Sequence, residues 1–477
     1  MLIEEVPVGA QSLDRYREVV EAQTLDAAMS IAETVRDMHE GRVIWNMNST
    51  ALGGGVAEML RALLPYVRGF GIDTRWLVLG GNDDFFRITK RLHHALHGSV
   101  GDGSPLGESE REIYESVLFD NAAELNGRVR KRDITILHDP QTAGLIPHMK
   151  RSGAVVIWRC HVGSDTSDEQ TKLAWDFLAP YMDGAVATIF SRNQYIPECC
   201  DPARSLVIPP SIDPFSPKNQ AMAEPAVRSI LVNTGIIEGP PGESPPVFLR
   251  EDGSPGRVDR QADVMRHGRA PTWDVPLVVQ VSRWDPLKDP VGVIEGYLEY
   301  LKIVQDGADA QLVLAGPNVH AITDDHEQAA VYDQVLDAWR DLPHGIRNRV
   351  HLVCLPMADI DENAAIVNAL QTHAAVVVQK SLKEGFGLTV TEAMWKGRPL
   401  LASAVGGIQD QVEDGVHGLL LEDARDLAGF AAKLDILLSD PDGAEAMGRA
   451  ARERVKERYL GLTSLATYAQ LITRLTS

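Results

Sequence analysis

The sequence predicts an α/β protein made of two doubly wound domains, and three observations carry that prediction. Short β-branched runs alternate with longer amphipathic segments along most of the 477 residues, the pattern of parallel strands joined by helices. Several runs end in glycine or polar clusters, at the carboxyl ends of strands where open α/β sheets bind ligands. Pro209-Pro210-Ser211-Ile212-Asp213-Pro214 then stops regular structure and marks the end of a first domain.

Composition sets the bounds. A hydrophobic content of 44% is ordinary for a globular chain with substantial cores. No apolar run reaches the eighteen or so residues of a membrane span, and the first twenty residues carry acids and bases where a signal peptide needs an apolar stretch. A cytoplasmic protein is expected. The four cysteines, two of them adjacent (Cys199, Cys200), have no C-x-x-C spacing, which fits a reducing compartment and argues against structural zinc. A net charge of −21 opposes a sequence-independent grip on nucleic acid or anionic membrane.

In the first half, residues 12–40 read as one or two helices with Ser12 as N-cap, and carry no chemistry. Residues 43–48 read as the first core strand, ending in Asn48, and Gly53-Gly54-Gly55 lead into a helix over 56–68. Strand, glycine turn and helix open a nucleotide-binding α/β domain, although three glycines alone are better explained as a flexible turn. The absence of GxGxxG gives no indication of a dinucleotide cofactor. Strands follow at 74–79 and 133–138, the latter ending in His138-Asp139-Pro140-Gln141, and at 154–158, ending in Arg159-Cys160-His161. His161 is a candidate general base, orienting group or sugar-hydroxyl ligand, with a packed loop histidine as the other reading. Further strands are expected at 185–190 and 205–208.

Residues 235–273 are dense in Gly, Pro and charge with little periodicity, and read as a long loop or partly ordered insertion. A strand over 275–281 follows, closed by Arg283 and Lys288 five residues apart. Cations at a strand's carboxyl edge in so acidic a chain suit a diphosphate leaving group, or are a pair of surface charges. More strands are expected at 311–314, 349–354 and 399–402, so a second doubly wound domain alternates as the first does.

The stretch 383–397, KEGFGLTVTEAMWKG, organises that domain. A valine-rich strand precedes it, and Gly385-Phe386-Gly387 turn the chain into a helix near Leu388, whose first amides and positive end face outward. Glu384 on the loop can accept sugar hydroxyls. Glu392, eight residues later and one turn inside the helix, can reach the two hydroxyls of a ribose. The plainer reading is a helix with acidic residues near its start.

Glu384-Gly385-Phe386-Gly387 followed by Glu392-Ala393-Met394 resembles the E-x7-E signature of retaining glycosyltransferases of the GT-B fold, in particular family 4. Arg283 and Lys288 match that family's R-x4-K, although the family usually places glycine where Asp289 stands. The segments NSTALGGGVAEML, HDPQ, WRCH and IPPSIDP resemble, nearly word for word, the trehalose synthases of the glycosyltransferring type, with the retaining trehalose phosphorylases as relatives. The resemblance runs from about Ser12 onward, except for the insertion.

That resemblance implies two Rossmann-like domains facing each other across a cleft, with the last helix crossing back to the first. The expected parts are 1–215 on the acceptor side, 216–274 as a linker with the insertion, 275–460 for the nucleotide sugar, and 461–477 as the returning helix. It implies a retaining transfer of glucose from ADP-, UDP- or GDP-glucose to free glucose, giving trehalose. Glu384, His161, Arg283 and Lys288 would be catalytic. Gly54, Gly55, Arg283, Lys288, Glu384, Gly385, Phe386, Gly387, Leu388 and Glu392 would hold the donor, and Asn48, Asp139, Trp158, Arg159 and His161 the acceptor. A homodimer is expected, with no tightly bound cofactor and no requirement for Mg. The alternatives are a trehalose phosphorylase, a family 4 enzyme with another small acceptor, and a nucleotide-sugar-binding protein without turnover.

Overall fold

The computed structural model describes residues 2–51, 54–304, 309–319 and 326–477, except for the side chain of His326. The chain divides into two compact units, Met1–Ile212 with Tyr459–Ser477, and Asp213–Arg458.

The first unit runs β1 (Glu4–Val6), α1 (Ala22–Met38), β2 (Ile44–Asn48), α2 (Gly55–Gly69), β3 (Thr74–Val78), α3 (Asp83–Leu96), α4 (Glu108–Leu125), β4 (Ile134–His138), α5 (Ile146–Ser152), β5 (Val155–Cys160), α6 (Glu169–Met182), β6 (Ala187–Phe190) and β7 (Ser205–Val207). Its sheet has the order β1-β3-β2-β4-β5-β6-β7, parallel except for β1. Three residues are too few to show alternation, which is why the sequence gives no sign of β1. Strands β2 and β4 are buried at every position, as strands covered on both faces must be.

The second unit runs α7 (Glu224–Asn233), β8 (Val247–Leu249), β9 (Pro255–Arg257), β10 (Asp263–Met265), β11 (Leu277–Val281), α8 (Pro290–Val304), β12 (Gln311–Pro317), α9 (His326–Arg340), α10 (His344–Arg347), β13 (Val350–Leu355), α11 (Ile360–His373), β14 (Val376–Gln379), α12 (Leu388–Trp395), β15 (Leu400–Ser403), α13 (Ile408–Gln411), β16 (Leu419–Leu421), α14 (Leu427–Ser439) and α15 (Pro441–Arg458). Its sheet, β10-β13-β12-β11-β14-β15-β16, is again parallel apart from one short edge strand. The last helix, α16 (Gly461–Thr476), returns to the first unit, as expected. Its Leu471 and Ile472 join Val35, Ile44, Ile134, Ile157 and Ile189 in one buried cluster. Among the described residues no helix is long and apolar enough to cross a membrane.

The reading of 216–274 as a linker with an irregular insertion is corrected. This segment folds as part of the second unit, contributing α7, the β8–β9 hairpin and the edge strand β10. Buried Val227, Ile230, Leu231, Phe248 and Val258 help to order it, together with polar contacts to α11, which hydrophobic periodicity cannot reveal. Arg250 clamps Asp359 through two bonds of 3.1 and 2.8 Å. Buried Glu362 accepts the amides of Asp259 and Arg260, each at 2.7 Å, and pairs with the Arg260 guanidinium. Asn368 donates to the carbonyls of Pro217 and Gln220. Glu362→Ala leaves those two amides without their acceptor. It is expected to cost about 2 kcal/mol, measured as the shift in urea unfolding.

Candidate functional site

In the second unit two turns meet at the carboxyl ends of adjacent strands β11 and β14. Backbone and side-chain bonds knit them together: Leu382 donates its amide to the Leu287 carbonyl at 2.8 Å, and Gln280 bridges the Lys288 carbonyl (2.9 Å) and the Lys380 amide (3.1 Å). Glu384 and Lys288, 96 residues apart in sequence, are thereby brought to 2.5 Å between Nζ and Oε2. Ser381 Oγ donates to the same carboxylate oxygen at 3.1 Å. Arg283 lies on the same turn as Lys288, mostly exposed, with Asp285 3.1 Å away.

Asp289 takes the left-handed conformation, φ 47° and ψ 50°, so the backbone there is the one a glycine would adopt. Two contacts hold it. Lys380, 1% exposed, pairs with its carboxylate, and its Oδ1 accepts the Gly292 amide at 3.2 Å at the start of α8. Lys380 drew no attention in the sequence, although a lysine ending a buried valine strand is a signal in itself.

The turn into α12 needs glycine at residue 387, where φ is 87° and a Cβ would lie 3.0 Å from Ile408. Gly407, in the glycine turn before α13, packs so closely that a Cβ would sit 2.7 Å from the Phe386 Cα, and its amide donates to the Gly385 carbonyl at 3.1 Å. The first amides of α12 lack intrahelical acceptors and open toward this turn, a ready anion site. Glu392 lies one turn in, nearly buried, with Lys218 Nζ 3.4 Å from its carboxylate. Neighbouring Lys396 is pushed down to about 7 by burial, with Glu392 opposing the shift and Lys218 adding to it.

In the first unit the residues flagged at strand ends fall into two groups. Asp139 and His161 meet: the His161 amide donates to Asp139 Oδ1 at 2.7 Å, and the Asp139 amide to the Arg159 carbonyl at 2.7 Å. Asp139 has φ 64° and ψ 175°, a conformation essentially confined to glycine. Its carbonyl also accepts Trp158 Nε1 at 3.1 Å, so the strained backbone is held from several sides. Burial pushes the Asp139 carboxyl up to about 7 against the His161 amide and the Arg159 charge, and drives His161 well below its ordinary value. Gly54, with φ 81°, caps α2, and Gly55 begins it. Gly53 and Leu52 of the same motif lie outside the described residues.

Asn48, Trp158 and Arg159 form the second group, and the expectation that their side chains line an acceptor site is corrected. Asn48 is buried, its amide donating to the Thr50 carbonyl and accepting Trp76 Nε1, both at 2.7 Å. Trp158 packs edge-on against Trp175 and Phe190 in the core. Fully buried Arg159 bonds Tyr468 on α16 and donates to the carbonyl of Ile208, just past β7, at 3.1 Å. All three hold the fold around Asp139 and His161.

The strain at Asp139 yields a prediction. Asp139→Gly relieves it and Asp139→Ala does not, so the glycine variant should be the more stable by roughly 1–2 kcal/mol, read from chemical denaturation. Both lose the acceptor for the His161 amide, and both should lose activity.

Residues 46–197 match the family described as "Trehalose synthase, N-terminal domain", and residues 270–454 match "Glycosyl transferases group 1". A solved UDP-forming α,α-trehalose-phosphate synthase from Burkholderia xenovorans superposes with a TM-score of 0.65 at 15% identity, covering 91% of this chain and all of that one. The chain is thus a glycosyltransferase of the GT-B fold, with two Rossmann-like sheets and a returning terminal helix. A trehalose synthase of Thermococcus litoralis is 33% identical over 460 residues, 96% of each chain. A trehalose phosphorylase of Grifola frondosa is 25% identical over 96% of this chain and 60% of its own length. The chain belongs to the trehalose synthase family.

Proposed function

We propose that the protein transfers glucose from a nucleoside diphosphate glucose to free glucose with retention of configuration, in the manner of family 4, releasing trehalose and the nucleoside diphosphate. The observation that carries this reading is the meeting of Glu384 with Lys288, a carboxylate for sugar hydroxyls beside an ammonium for phosphate, at the open end of α12. Kinship with trehalose synthases over nearly the whole chain supports trehalose as the product.

In this reading Arg283, Lys288 and the helix-start amides take the diphosphate, Gly54 and Gly55 approach it, Glu384 grips the glucose and Glu392 the ribose. His161 faces a sugar hydroxyl, and Asp139 fixes the backbone that carries it. The bond from the anomeric carbon to the leaving phosphate breaks with its electron pair passing to phosphate. The acceptor hydroxyl oxygen bonds that carbon from the same face, and its proton passes to a phosphate oxygen. The protein supplies orientation and charge rather than a covalent nucleophile. The proposal includes a cytoplasmic homodimer with no tightly bound metal.

The test incubates purified protein with ADP-, UDP- or GDP-glucose plus glucose, and in parallel with trehalose plus phosphate, and identifies products by NMR. An α,α-1,1 disaccharide from a nucleotide sugar supports the proposal. Glucose 1-phosphate formed only from trehalose and phosphate replaces it with a phosphorylase, and no product from either mixture overturns it.

A further inference from the structure

Behind His161 runs a line of buried polar groups that crosses three strands of the first sheet. Thr74 Oγ1 lies 3.1 Å from the Ile44 carbonyl, and Asn46 Nδ2 lies 3.3 Å from Thr74 Oγ1. Asn46 Oδ1 is 3.3 Å from His138 Nε2, and His138 Nδ1 is 3.1 Å from His161 Nε2. Thr74, Asn46 and His138 are each less than 5% exposed, and all three border a small cavity of about 90 Å³ whose walls are otherwise almost wholly apolar. Few other polar groups compete for these contacts.

The direction of every bond in the line follows from its inner end. A carbonyl can only accept, so the single Thr74 hydroxyl proton goes to Ile44. Its lone pair then needs a donor, which places the Asn46 amide nitrogen toward Thr74 and its oxygen toward His138. That oxygen can only accept, so His138 carries its proton on Nε2. Burial, with the Arg159 charge adding to it, pushes His138 down to about 3 and His161 well below its ordinary value, so both rings are neutral near pH 7. A neutral His138 protonated on Nε2 presents a bare Nδ1, and His161 must donate to it from Nε2. Among the described residues the His161 ring makes no other hydrogen bond.

We propose that Asn46 and His138 are positioning residues that fix His161 in the Nε2-protonated tautomer, leaving Nδ1 as a hydrogen-bond acceptor for a hydroxyl of the sugar substrate. The role toward substrate rests on the glucosyl-transfer reading above; the tautomer does not. A histidine so fixed accepts a substrate hydroxyl and does not compete as a donor, and turning the ring over would cost buried His138 Nδ1 its hydrogen bond from His161.

The test reads the rings directly. Protein labelled with ¹⁵N-histidine is examined by two-bond ¹H–¹⁵N correlation at pH 7, with His138 and His161 assigned through single substitutions. Both rings are expected to show a protonated Nε2 and a bare Nδ1. A protonated Nδ1 on either ring overturns the inference, and this wild-type spectrum decides it whether or not a variant folds. In Asn46→Leu the His161 tautomers should mix, and kcat should fall about tenfold to a hundredfold with KM changed less. A fall in kcat with the tautomer unchanged also overturns it. If the wild-type protein forms no glycoside while its rings show the expected tautomers, the transfer reading fails and the fixed tautomer stands.

Discussion

Glu384→Gln is expected to lower kcat/KM for glucosyl transfer on the order of a thousandfold, with the protein still folded. The substitution keeps the size of the side chain and an oxygen for Ser381 Oγ, but removes the charge that faces Lys288 and, in the proposed reaction, the sugar. Since Glu384 is assigned to the glucose and not to the diphosphate, the affinity for the free nucleoside diphosphate should survive. Calorimetric titration with the nucleotide alongside steady-state kinetics separates the two. Wild-type turnover, or loss of nucleotide binding equal to the loss of turnover, would remove Glu384 from its assigned role.

The second large effect is one of stability. Asp289→Ala leaves the buried Lys380 ammonium without its counter-charge, and should cost about 3–4 kcal/mol. Asp289→Gly relieves the left-handed backbone but strands the same charge, and should recover only about 1 kcal/mol of that loss. Adding Lys380→Met to Asp289→Gly removes both halves of the pair and gives the left-handed turn the residue that adopts it without strain, so stability should rise again toward wild type. Urea unfolding of the four proteins, wild type included, completes the comparison. A double variant no more stable than Asp289→Gly would mean that the pair does not govern this turn.

The parts of the fold legible in the sequence are those written in side-chain period. β-Branched runs gave β11 and β14. The Gly385–Gly387 turn and the helix after it stood out because glycine spacing and capping are local. The meeting of Lys288 with Glu384 was implicit in two motifs at adjacent strand ends, but only the parallel pairing of β11 with β14 makes it a contact. Trp158 and Arg159 carry a lesson in alternation. In a strand covered on both faces, neighbouring side chains enter opposite cores, and one goes to Trp175 and Phe190 while the other reaches α16. Their proximity to His161 in the chain obscured this. The region around β8–β10 was illegible because its strands are three residues long, too short to show alternation, and because carboxylate-to-amide contacts share in ordering it. Strain at Asp139 has no sequence signature at all, since nothing in an aspartate before a proline announces a positive φ.

The return of α16 also sets an order of events during synthesis. The second unit is continuous in sequence, from Asp213 to Arg458, and all its strands and helices exist before the last helix emerges. The first unit begins earlier but finishes later, because Arg159 has no Tyr468, and the Ile44, Ile134 and Ile157 face no Leu471 or Ile472, until α16 has been made. A chain ending near residue 458 would therefore carry every element of the second unit beside a first unit that lacks part of the cover on one face of its sheet. The half translated first is the one that waits, and it is the natural client for a chaperone.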